Sequence, residues 1–131
     1  MATKEAHLDQ AKKNLRFLEE CGSCFSIIDS YLEWYLTVKF YAALHVIDAV
    51  FAIKTIHPQN HDYRLKSVFL LKKEFGLSVA NRYRDLYNTS IKARYLEHNG
   101  GNVLKGDLQD FEVGYQTIID FAKQKHNILL N

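Results

Sequence analysis

Residues 30–54 read Ser30-Tyr31-Leu32-Glu33-Trp34-Tyr35-Leu36-Thr37-Val38-Lys39-Phe40-Tyr41-Ala42-Ala43-Leu44-His45-Val46-Ile47-Asp48-Ala49-Val50-Phe51-Ala52-Ile53-Lys54. Within this stretch Leu36, Phe40, Leu44, Ile47 and Phe51 recur at the three-to-four spacing of one helix face, and Trp34, Val38, Tyr41, Ala49 and Ala52 form a second stripe. A surface helix shows one apolar stripe, whereas a helix packed on several sides shows more, so this segment is expected to be the central helix of an all-α fold. Ser30 and Glu33 have the Ser-x-x-Glu form of a capping box and predict its start.

The same period extends in both directions. Leu8, Ala11, Leu15 and Leu18 predict a first helix over about residues 4–21, closed by Gly22-Ser23. After the central helix, Pro58 disfavours helix at His57, and Asn60 is a reasonable cap for a third helix. Leu65, Val68, Phe69 and Phe75 carry that helix to Gly76, and Ser78 is expected to cap a fourth, from about Val79 to Leu96. Asn99-Gly100-Gly101-Asn102 reads as a break. Asp107-Leu108-Gln109-Asp110 then opens the last helix, with Leu108, Phe111, Tyr115, Ile118 and Ala122 in register and Gly114 a weak point inside it. No stretch alternates at period two, so the expectation is an all-α, up-and-down bundle of four to five helices forming one domain over residues 1–131.

Composition sets the class. The chain is 47% apolar and 24% charged, with one proline and six glycines, which is the balance of a globular domain rather than a linker or a disordered tail. A formal charge of +2, with six histidines uncounted, permits an acidic partner without arguing for one. The charged start Met1-Ala2-Thr3-Lys4-Glu5 and the absence of a long uninterrupted apolar run predict a cytoplasmic protein with no membrane partner. Cys21 and Cys24 have a dithiol spacing but follow a helix end, where the dipole disfavours a thiolate, and no second pair completes a zinc site; ordinary packed cysteines are expected.

Polar residues interrupt the core faces on three helices. Tyr41, His45 and Asp48 share a face of the central helix; His61 and Arg64 begin the third helix in line with Val68; Tyr83, Tyr87, Ser90 and Arg94 step along one stripe of the fourth. Burying such groups is unfavourable unless they meet one another or a ligand, which predicts one shared polar site. Asp48 could pair with either Arg64 or Arg94, and a purely structural network remains the competing reading. His45, Asp48, His57 and His61 are also metal-ligand types, but Pro58 puts His57 in a loop and no acidic pair accompanies it, so no metal and no cofactor are expected.

These residues carry a resemblance to small stand-alone proteins of the HEPN family (higher eukaryotes and prokaryotes nucleotide-binding). It rests on Trp34…Phe40-Tyr41-Ala42-Ala43-Leu44-His45 with Asp48, on His57-Pro58…His61…Arg64, and on Tyr87…Ser90…Arg94-Tyr95, and spans about residues 30–96. The resemblance implies a bundle of four or five helices, often a homodimer, with members that bind nucleotides or RNA and members that cleave RNA without a metal, including toxin-antitoxin-type components. Carried over to this chain, it implies ligand contacts from His45, Asp48, His61, Arg64, Tyr87, Ser90 and Arg94, with the two arginines on phosphate. His45, His61, Arg94 and His98 are then the candidates for catalysis. Ribonuclease members place a His about four to six residues after an Arg; here Arg94 and His98 have three residues between them. Tyr31, Trp34, Tyr35, Phe40 and Tyr41 are expected to pack in the core or in a subunit interface, and a protein partner in a non-catalytic dimer is the alternative function.

Overall fold

The computed structural model describes residues 2–24, 27–95 and 100–130, apart from the side chains at 23, 24, 28, 29 and 100–103. All regular structure among them is helical: α1 (Lys4–Cys24), α2 (Ile27–Ser30), α3 (Leu32–Ile53), α4 (His61–Leu70), α5 (Lys72–Phe75), α6 (Leu77–Arg94) and α7 (Gly100–His126). Two of these, α2 and α5, are single turns, so five substantial helices build the bundle.

α3 is central for the reason its two stripes imply. Leu36, Phe40, Ile47 and Phe51 are completely buried, as are Ala42, Ala43, Val46, Ala49 and Val50 on the remaining sides. α1 lies along α3, α6 and α7 pair with each other, and both also pack on α3. Each of the large side chains buried in this way contributes about 1.5–3 kcal/mol of transfer free energy. By length and composition α3 is apolar enough to cross a bilayer, and most of its apolar window is buried among the other helices.

The helix boundaries depart from expectation at five places. α1 runs on through Gly22 and Ser23 to Cys24, so Cys21 and Cys24 lie in its last turn rather than after its end. Ser30 does not cap α3: it closes α2, Tyr31 takes the N-cap position, and no side chain bonds the free N–H groups there. The third helix is interrupted at Leu71, whose N–H still reaches the Ser67 carbonyl before α5 turns away. Ser78 lies inside α6, which starts one residue earlier; Gly76, at φ +81, both ends α5 and caps α6, a conformation that costs a glycine little. The last helix begins at Gly100 rather than near Asp107, running through Gly101 and Gly106. Leu104, fully buried between these glycines, supplies packing that outweighs their poor propensity. Asn60, by contrast, caps α4 as expected, its Oδ1 accepting from the Tyr63 N–H at 2.8 Å. Gly114 is no weak point: a Cβ there would stand 2.6 Å from Leu86 Cδ1, so its bareness lets α6 and α7 approach.

Candidate functional site

The polar stripes of α3, α4 and α6 meet, as their placement on core faces requires. At the bottom is a buried ion pair. Arg64 Nε donates to Asp48 Oδ1 at 2.7 Å and Nη2 to Oδ2 at 3.0 Å, the two-pronged geometry that suits a guanidinium to a carboxylate. Asp48 is 5% exposed and Arg64 7%. Burial alone would lower the Arg64 pKa, but the hydrogen bonds and charge of Asp48 outweigh it and raise it above its ordinary value. Arg64 Nη2 also reaches the Pro58 carbonyl at 3.4 Å, which ties the α3–α4 connection to the pair.

Tyr83 closes this bottom layer from α6. Its ring is fully buried, and burial, with Asp48 adding and Arg64 opposing, pushes its hydroxyl above the ordinary tyrosine value. The hydroxyl lies close enough to Arg64 to interact with its guanidinium, although among the described residues no group meets it with full hydrogen-bond geometry.

Arg94, about three turns further along α6, has a different setting. Nη1 donates to Tyr41 Oη at 3.1 Å, Nε to the Ser90 carbonyl at 3.3 Å and Nη2 to Ser90 Oγ at 3.4 Å. Ser90 is itself buried and donates to the Tyr87 carbonyl. Arg94 is half-buried, its guanidinium is 5.8 Å from the Tyr41 ring centre, and among the described residues no carboxylate bonds it. His61 stands beside it, stacked on Tyr87 with ring centroids 5.1 Å apart and edge-on to Tyr41 at 6.1 Å. Burial, then the charges of Arg64 and Arg94, lower the His61 pKa, so the imidazole is neutral at pH 7. Its Nδ1 is buried, with no hydrogen-bond partner among the described residues.

A fourth element joins from α1. His7 Nδ1 lies 3.1 Å from His45 Nδ1, and both rings have pKa values lowered chiefly by burial. His7 was absent from the sequence-based site, although its signal was there: it is in line with Ala11, Leu15 and Leu18, a histidine on a core stripe. His45, Asp48, His61, Arg64, Tyr87, Ser90 and Arg94 therefore belong to one contiguous cluster, with Tyr41, Tyr83 and His7 as further members. His98 lies outside the described residues. No three histidine, cysteine or carboxylate side chains among the described residues are grouped to hold a metal ion.

A second polar tie lies on the other flank of α3. Lys39 Nζ bonds both Glu112 oxygens at 2.9 and 3.0 Å and Tyr35 Oη at 2.9 Å, and sits 4.5 Å from the Tyr115 ring centre. Every member is paired within the network, which fastens α3 to α7. Of the expected packing aromatics, Phe40 is fully buried and Tyr35 and Tyr41 are half-buried, whereas Tyr31 and Trp34 are exposed.

Compared with family models, with curated proteins and with solved structures, the chain matches none of them.

Proposed function

We propose that the chain is a HEPN-type module that binds the phosphate of a nucleotide or RNA at the polar seam between α3, α4 and α6. The observation that carries this reading is the contrast in Arg94's partners: three neutral oxygens orient its guanidinium, and among the described residues no carboxylate compensates its charge. An arginine held in this way presents a rigid fork to an anion. Half-exposed His61, Tyr41 and Tyr87 around it offer a hydrogen-bonding imidazole and aromatic faces to the rest of a nucleotide. Phosphate contact is assigned to Arg94, and Arg64, already engaged by Asp48, keeps the α4 end of the seam in position. If the module turns over RNA, His61 is the base, neutral at pH 7 and next to the arginine that would stabilise charge on phosphorus.

Titration of mononucleotides and short RNA at two salt concentrations tests the reading. Arg94→Ala should weaken binding by about tenfold, the worth of one hydrogen-bonded charge, and reduce the salt slope by about one. Parent protein that binds neither ligand at millimolar concentration, or an unchanged affinity in the variant, sinks it.

One surface favours the second reading, a dimeric interaction module. Phe17, Tyr31 and Trp34, the last 60% exposed, line an apolar groove of about 500 Å3 with Cys21, Ile27 and Ser30. Exposed aromatics in such a group are the usual content of an interface core. A twofold dimer is expected by sedimentation equilibrium, converted to monomer by Trp34→Glu; a parent monomer at roughly tens of micromolar rules against it.

A further inference from the structure

The contact between His7 and His45 has an uncommon constraint, because it joins two Nδ1 atoms at 3.1 Å. One proton must lie between them. With no proton two lone pairs oppose, and with two protons two N–H groups oppose. The contact therefore suits a neutral pair of opposite tautomers, or one imidazolium donating to one neutral ring, and excludes two imidazolium rings. Its surroundings sharpen the exclusion. Among the described residues, the charged and titratable groups facing the pair are Asp48 from α3, Arg64 from α4 and His57 from the connection between them. The single anion among these, Asp48, already accepts two hydrogen bonds from Arg64. His7 also sits in the first turn of α1, which Thr3 caps by accepting the Ala6 N–H at 3.1 Å, and the positive end of a helix dipole disfavours another cation.

We infer that the His7–His45 contact is an acid-sensitive latch, holding the amino-terminal turns of α1 on α3 until both rings are charged and then releasing them. The latch belongs to the fold itself and needs no ligand at the neighbouring seam. The direction of the pH effect follows from linkage. Both rings have pKa values lowered below the ordinary 6.5 when α1 is docked, chiefly by burial, so the docked state binds fewer protons than the released one. Docking is then fully supported above pH 6.5 and weakens as pH falls from there toward the docked values.

Amide hydrogen exchange, corrected for intrinsic rates, reads this directly. Going from about pH 7.5 to about pH 5, protection over the first turns of α1 should fall about tenfold, the change that one unit of proton linkage produces, while the middle of α3 keeps its protection. His7→Asn puts an uncharged amide beside the His45 Nδ1 and should reduce the acid-dependent loss, leaving only the contribution of His45. His7→Phe, which keeps an apolar contact and cannot titrate, gives the same comparison if the amide fails to hold α1 at neutral pH. His57→Gln and His61→Gln should leave the acid loss in place. Equal protection at both pH values in the parent overturns the latch, as does an undiminished acid loss in both His7 variants.

Discussion

Arg64 and Arg94 occupy the same polar seam about one helix apart, and they differ in what neutralises them. Arg64 is sealed below the surface with both prongs on Asp48, whereas Arg94 is half-open and held by a phenol, a hydroxyl and a carbonyl. A buried guanidinium with a carboxylate is a structural joint, because neither charge is free to meet anything else. A partly exposed one with neutral partners keeps its field. The lesson is that a shared face does not make a shared role: the partner, not the residue type or its stripe, decides whether an arginine fastens helices or awaits an anion.

The contrast breaks most visibly in stability. Arg64→Ala leaves Asp48 buried without its partner and should cost about 3–5 kcal/mol by chemical denaturation, whereas Arg94→Ala should cost less than about 1 kcal/mol, since it strands no charge. Similar losses in the two variants would erase the distinction. Tyr83→Phe sharpens it at a smaller scale. The Tyr83 hydroxyl is buried beside Arg64 and, among the described residues, makes no well-aligned hydrogen bond, so deleting it should change stability by no more than about 1 kcal/mol, toward greater stability. A loss of about 2 kcal/mol or more would mean that the hydroxyl serves the Asp48–Arg64 pair and that the joint has three members.

The sequence made most of this bundle legible because its helices bury strong three-to-four repeats. α3 stood out by having apolar residues on two faces, and Asn60 stood out because its cap is local, needing only the N–H three residues on. The start of α7 was hidden for the opposite reason. Gly100, Gly101 and Gly106 favour a break locally, and only burial of Leu104 against the rest of the bundle reverses that preference. Leu71 interrupts α4 with no proline or glycine to announce it. In the seam, periodicity put the right residues on inward faces but left Asp48 two possible partners, since spacing along one helix says nothing of the height at which another helix crosses it. His7 was overlooked because its stripe belongs to α1, and its partner is 38 residues away.

Gly114 extends these arguments to a residue outside the polar seam. Because Leu86 Cδ1 occupies the space where a side chain at 114 would begin, the depth to which Leu86 enters α7 sets the separation of the two helices. Arg94 rides on the same rigid rod, eight residues beyond Leu86 and therefore about 12 Å along the axis. The bare backbone at 114 is thus the fulcrum of a lever whose far arm carries the guanidinium. A methyl group inserted there would push on the middle of α6 and displace the tip that carries Arg94, where a shift of a few tenths of an ångström separates a fork that fits a phosphate from one that does not.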